Sequence, residues 1–331
     1  MRWLSRGVRS LCTARIFHSA VAVALVVLPS AALAAYPEKP IRIVVPTAVG
    51  GPSDLCIRAV AETMSANLGQ PIVVENVTGA TGNIGLQRVA AAGADGYTLA
   101  QASAANTANV AARPGSSFDI VNGMRPVGKV CVASFTLAVA PSLGVKTVDD
   151  FIRYAKANSG KLTYGSIGHG SSQHLVAEMF GAVIGVDMLH VPFRGESAAV
   201  TEIAGGRVHM MFMAGAKPFM DSGLIVGLAT TNREPWPPIP ALAPIGRGAL
   251  PGFSYNGWNG LFAPKGTPDA VVQRLSAALT KALRTDKARA AIRALGNEPG
   301  EGTAGELAAQ VQSDITKFRR IIEERKLTFP E

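Results

Sequence analysis

The chain alternates between short β-branched apolar runs and longer stretches whose apolar positions recur at helical spacing. "IRIVVPT" at 41–47 is a run of the first kind and reads as a buried strand. Residues 52–68 are of the second kind, with Leu55, Ala59, Val60, Met64 and Leu68 as the periodic positions and Gly69 as the stop. "PIVVENV" predicts a second strand, "GNIGLQRVAAA" a second helix and "YTLAQAS" a third strand. Such alternation predicts a largely parallel sheet with helices on both faces. The pattern then starts again with a long strand, "CVASFTLAVAP", and a helix over 147–157 capped by Thr147, with Asp149 and Asp150 in its first turn. The strands "KLTYGSI", "DMLHVPF", "VHMMFMA" and "LIVGLAT" follow, interleaved with the helices "SSQHLVAEMFGAVIG" and "ESAAVTEIAGG". Beyond a proline-rich stretch at 234–244, "GWNGLFAPKGT" predicts a returning strand, and helices are expected over 268–283, 286–295 and 304–325.

Two segments, 44–74 and 162–191, share one layout of strand, glycine–serine turn, helix, terminal glycine and strand. That loose echo suggests two α/β lobes, and the length suits two domains of ordinary size. The first residues stand apart from both. Arg2, Arg6, Arg9 and Arg15 precede an apolar core at 16–28, which ends in "SAALAAYP". This is the order of a secretory signal peptide, with Ala32 and Ala34 fitting the small-x-small cleavage rule. The core is too short to span a bilayer, so the mature chain is expected to begin at Ala35 and to be exported. Removing the four leader arginines takes the formal charge from +9 to +5 (9 − 4). The excess is spread along the chain, which favours a small anionic ligand over nucleic acid. Cys56 and Cys131 remain after the leader. A chain this long buries a core without staples, so they are read as buried free thiols, with a single bridge as the alternative.

Four helix starts carry glycine together with Ser, Thr or Asn: "GGPSD" at 50–54, "TGATGNIG" at 78–85, "GSIGHGSS" at 165–172 and "PFRGES" at 192–197. The first turn of a helix leaves backbone N–H groups without internal partners, and the aligned peptide dipoles add partial positive charge. In parallel α/β sheets these starts lie at the carboxyl ends of the strands, where ligands bind. Any one of them alone is most simply a turn and a cap; four of one kind, two in each half, point to an anion. Asp54 reads as a structural residue, because a carboxylate there would repel a bound anion. No Lys follows the first glycine pair, and neither G-x-G-x-x-G nor G-x-S-x-G occurs at these junctions, which weighs against nucleotide, dinucleotide and hydrolase readings. His169 and His174 are poorly spaced for one helical face, His190 and His209 read as satisfied core histidines, and no Cys/His cluster has metal-ligand spacing. No cofactor is expected. Four or five hydrogen bonds to a charged group, about 1.5–3 kcal/mol each, leave roughly micromolar affinity after the costs of association.

Six stretches in order, "YPEKPIRIVVPTAVGGPSD", "LGQPIVVENVTGATGNIG", "DGYTL", "GKLTYGSIGHGSSQHL", "VDMLHVPFRG" and "WNGLFAPKGTP", resemble the Bug-type substrate-binding proteins of tripartite tricarboxylate transporters. The resemblance spans almost the whole mature chain. It implies an α/β periplasmic binding protein of the type II, Venus-flytrap kind, each lobe a mixed, mostly parallel sheet flanked by helices. One lobe would comprise 35–137 and 255–331 and the other 138–254, with crossings near 134–138 and 254–260. A ligand carboxylate would be held by Thr47, Val49, Gly50, Gly51 and Ser53, by Thr81, Gly82 and Asn83, and by Ser166, Gly168, Ser171 and Ser172, with Arg194 as a guanidinium partner. The resemblance also implies a di- or tricarboxylate or aromatic acid as ligand, a monomeric receptor, and the membrane subunits of a transporter as partner. The alternatives are an orphan receptor serving a sensor protein, and a secreted α/β hydrolase acting through Ser166 or Ser171. The chain departs from the family pattern at Thr47, Thr78 and Thr81, and at Met213 and Ala214, where an aspartate is common. Loss of that acid would disfavour ligands bearing an ammonium group, and Thr81 would add a hydroxyl donor.

Overall fold

The computed structural model describes residues 36–79, 82–115, 118–300 and 303–329. The expected leader and Thr81 lie outside these residues. Ile41, Ile43, Val44 and Val45 are fully buried, which makes β1 (Ile41–Val45) a central strand. It is followed by α1 (Pro52–Leu68), β2 (Ile72–Asn76), α2 (Asn83–Ala90), β3 (Thr98–Ser103), α3 (Ala104–Ala112), a short α4 (Ile120–Gly123) and β4 (Met124–Ser134). A second series comprises β5 (Thr136–Val139), α5 (Val148–Ala157), β6 (Leu162–Ser166), α6 (Ser172–Ile184), β7 (Met188–Pro192), α7 (Glu196–Ala204), β8 (Met210–Met213), α8 (Lys217–Asp221) and β9 (Val226–Thr230). The chain returns through β10 (Asn256–Pro264), α9 (Asp269–Leu283), α10 (Asp286–Ala294), β11 (Glu298–Pro299) and α11 (Ala304–Glu324). Among the described residues, no helix is long and apolar enough to cross a membrane.

Two sheets result, ordered β11-β4-β10-β3-β1-β2 and β7-β6-β8-β5-β9. Each has a parallel part, β2-β1-β3 in one and β7-β6-β8 in the other. Each becomes antiparallel where the connecting strands β4, β5, β9 and β10 enter. The antiparallel share is therefore larger than strand–helix alternation implied, because strands that leave one sheet and return to it run against their neighbours. The long strand expected over "CVASFTLAVAP" is divided at Phe135. Its first half pairs with β10 and its second with β8 and β9, in different sheets.

Thr231 ties the two connecting segments together. Its buried hydroxyl accepts the Phe135 N–H at 3.1 Å and donates to the Tyr255 carbonyl at 2.7 Å. Its backbone bonds Phe135 O at 2.8 Å and Tyr255 N at 2.9 Å. The largest apolar cluster is continuous across this region, running from Ala102 and Ala108 through Phe135 and Tyr255 to Phe180 and Phe212. At its far end Arg325, just past α11, meets Glu178 of α6 at 3.1 Å, and Glu178 also accepts the Tyr164 hydroxyl at 2.6 Å. The two cysteines correct the expectation of free thiols: Cys56 on α1 and Cys131 on β4 form a disulfide. Both face one apolar cluster beneath the first sheet, and it is this approach of α1 to β4 that pairs them.

Candidate functional site

The first junction joins β1 to α1. Gly50 adopts φ +77°, a conformation that favours glycine, and Pro52 opens the helix, where its missing N–H costs nothing. Asp54 is fully buried one turn into the helix and accepts from Gly50 N at 2.9 Å, Arg58 Nε at 2.9 Å and Asn76 Nδ2 at 3.0 Å. Asn76 also donates to Thr47 O at 3.0 Å and accepts from Arg58. Burial alone would raise the Asp54 carboxyl, but the bonds from Arg58, Gly50 and Asn76 outweigh it and hold the group below the usual carboxylate range. Asp54, Arg58 and Asn76 thus clamp the loop. The Gly50 N–H is spent on Asp54 and the Gly51 N–H on Ala48 O at 3.2 Å. The N–H groups of Val49, Ser53 and Asp54 have no partner among the described residues. Ser53 Oγ donates to Asn259 Oδ1 at 2.7 Å, whereas Thr47 Oγ1 is buried with no partner.

The second junction joins β2 to α2 and touches the first. Gly82 caps α2 at φ +93°, and a β-carbon there would lie 3.1 Å from Pro46 Cβ. Asn83 opens the helix with no side-chain cap before it.

In the second sheet, β6 and β7 run in parallel register with Ser166 opposite Pro192, which brings the third and fourth junctions together. Ser166 Oγ donates to Gly168 O at 3.1 Å and accepts from Gly168 N at 3.0 Å. Ser171 Oγ accepts the His174 N–H at 3.3 Å as the cap of α6. The hydroxyls of Ser166 and Ser171 brace the turn, and Ser171 Oγ, which only accepts among the described residues, keeps its proton free to donate. The N–H groups of Ser172 and Gln173 in the first turn remain without intrahelical partners. Ser172 Oγ is buried and unpartnered.

At the fourth junction Arg194 is exposed and pairs with no acid among the described residues. The loop after β8 lacks an aspartate, yet an acid occupies it. Glu196 accepts from Ala214 N at 2.9 Å, Gly215 N at 3.0 Å and Gln173 Nε2 at 3.2 Å. Both carboxylate oxygens are engaged by neutral N–H donors, which fix where the group sits without neutralising it.

One histidine reading, that of His190 as a satisfied core residue, is corrected, and three histidines converge in space. His169, His174 and His190 come together, their ligating nitrogens all within 4.8 Å of one another, through the loop geometry of 167–171 rather than any linear spacing. His190 is not fully satisfied: Nε2 lies 2.6 Å from Ser166 Oγ, while Nδ1 is buried without a partner. Burial, with His190 and His169 beside it, pushes His174 down to about 3. Burial and His169 push His190 down to about 4. Both rings are neutral near pH 7. His209, in contrast, is bonded to Thr163 at 3.0 Å through Nδ1.

Helix α3 bridges the two halves of the site. Asn109 faces Asn83 of the second junction at 3.5 Å and accepts from Arg113 Nη1 at 2.8 Å. That same Nη1 would lie 3.2 Å from a β-carbon at Gly170 in the third junction. Asn109 and Arg113 of α3 therefore lie close to corners of both sheets.

Helix starts at the strand ends of two connected α/β sheets define a two-lobed solute-binding protein. The model of the "Tripartite tricarboxylate transporter family receptor" (TctC) matches residues 56–327, and the chain belongs to that family. It is 33% identical over 298 residues, 89% of each chain, to the "UPF0065 protein in tcbD-tcbE intergenic region" of Pseudomonas sp. (strain P51). It is 29% identical over 296 residues to "Protein BugT" of Bordetella pertussis, covering 87% of this chain and 90% of that one. Among solved structures it is similar to Rhodopseudomonas palustris Rpa4515 with adipate, at TM-score 0.77 and 30% identity over 89% of this chain and 100% of that one. It is also similar to MatC (Rpa3494) of the same organism with bound malate, at TM-score 0.73 and 29% identity over 87% and 100%.

Proposed function

We propose that this chain is an exported, periplasmic receptor that traps a small organic di- or tricarboxylate, or an aromatic acid, between its lobes. It hands the ligand, as a monomer, to the membrane subunits of a tripartite tricarboxylate transporter. The lobes are 35–137 with 255–331, and 138–254. The observation that carries this reading is that α3 brings junctions of both sheets together: Asn109 meets Asn83, and Arg113 Nη1 lies close to Gly170. The malate- and adipate-bound relatives support a carboxylate as the ligand class. The ligand is held by N–H groups of Val49, Ser53 and Asp54 on one side and of Ser172 and Gln173 on the other, with Gly82 and Asn83 closing the pocket wall. Arg194 reaches the second carboxylate, since among the described residues it has no acid of its own to neutralise it.

Ser166 and His190 meet at 2.6 Å, the spacing of a nucleophile and its base. Ser166 is fully buried, and its hydroxyl is committed to Gly168; no acid touches His190 Nδ1 among the described residues. These features favour binding over hydrolysis.

A thermal-shift screen of the mature chain against mono-, di- and tricarboxylates, aromatic acids and amino acids tests the reading. Stabilisation by a di- or tricarboxylate or aromatic acid without an ammonium group is expected. An amino acid as the best binder, or indifference to every acid, would overturn it.

A further inference from the structure

Of the five histidines, His18 lies in the leader, and three of the remaining four meet at one spot. His169 stands on the exposed loop after β6, His174 in the first turn of α6 and His190 on β7. With the Ser166 proton placed on Gly168 O, the Nε2–H of His190 donates to Ser166 and the lone pair falls on Nδ1. That nitrogen is buried and unpartnered. A ring fixed through one nitrogen and open at the other is the usual arrangement of a metal-ligating histidine. His169 makes only edge-on ring contacts with His174 and His190, at 5.8 and 4.8 Å between centroids. Its nitrogens are free to turn.

We propose that His169, His174 and His190 form a site for one divalent transition-metal ion of the imidazole-seeking kind, such as Zn2+ or Ni2+. Three protein ligands are the count of an open site, in which water or a carboxylate oxygen takes the next position. With no carboxylate or thiolate in the cluster, the donor set disfavours Ca2+ and Mg2+. Metal–nitrogen bonds of about 2.0–2.1 Å place tetrahedral ligands about 3.4 Å apart, so the nitrogens must close from their present spread. His174 moves most. Its ring stacks on His190, centroids 3.9 Å apart and planes 11° apart, and its Nδ1 accepts the Gly170 N–H at 3.0 Å. Parallel rings aim their lone pairs side by side, so ion entry opens the stack and releases Gly170.

The site stands independently of the carboxylate reading, and its test contains no organic acid. Untagged mature chain, stripped with chelator and dialysed, is titrated with ZnCl2 by calorimetry. Saturable binding of one ion per chain is expected, weakened at least about tenfold in His169→Ala and in His190→Ala and unchanged in His209→Ala. His169 is exposed, so its variant keeps the fold, which circular dichroism checks. Cobalt loading should give the intense visible bands of a low-coordinate ion in the parent and lose them in His169→Ala. Absence of saturable binding at millimolar ZnCl2, or equal affinity in the parent and His169→Ala, would overturn the proposal.

Discussion

Asp54 illustrates how a residue that cannot favour an anion still serves an anion site. Its carboxylate fixes Gly50 and, through Asn76, Thr47, so that the remaining loop amides point consistently. Asp54→Asn loses charge-assisted bonds and should cost about 2 kcal/mol at pH 7. Because the folded carboxyl lies below its unfolded value of about 3.9, this contribution is complete above the unfolded value and fades as pH falls through the folded one. Thermal denaturation should find the gap between parent and variant wide at pH 7 and narrowed at pH 3; an unchanged gap would contradict the assignment. Arg194→Ala, at a position exposed and unpaired among the described residues, should leave the melting temperature unchanged while weakening carboxylate binding about tenfold or more. Equal ligand affinity in a calorimetric titration would remove Arg194 from the site. The helix starts themselves were legible, because each glycine follows an apolar strand and precedes a helical pattern. The clamp was legible only in part: Asp54 and Arg58 are spaced for one helix face, but Asn76 arrives from a neighbouring strand. Likewise the serines of the third junction read as ligand contacts, and only coordinates reveal that Ser166 Oγ braces the turn against Gly168 while Ser171 Oγ caps α6.

Single elements explain where linear patterns fell short. "CVASFTLAVAP" is uniformly apolar and reads as one strand, since nothing in its alternation marks the change of sheet at Phe135. Thr231 holds that change of sheet. Thr231→Val keeps the shape but leaves the Phe135 N–H and the Tyr255 carbonyl each short of a partner, and should cost about 2–3 kcal/mol in chemical denaturation. A loss below about 0.5 kcal/mol would mean the crossing is held by packing alone. The disulfide was equally hidden, because the contact of α1 with β4 is a property of the assembled sheet. Its sequence separation of 75 residues corresponds to a chain-entropy stabilisation of about 4 kcal/mol. Reduction should lower the melting temperature by several degrees, and an unchanged transition in reductant would argue that the bridge is dispensable.

Over the molecule as a whole, capture and release require two stiff halves joined by few connections. Each sheet has its own parallel set and its own pair of amide-bearing corners, and the Thr231 region and α11 connect them. The strand–helix alternation foretold the two parallel sets; the family resemblance, rather than periodicity, foretold that the last segment rejoins the first sheet. Hydrogen–deuterium exchange followed by mass spectrometry, with and without the carboxylate found by screening, reads both sets of corners in one experiment. Slowed exchange should appear together in peptides covering 47–54 and 166–174. Protection confined to one of these segments, or found only elsewhere, would contradict capture between the lobes.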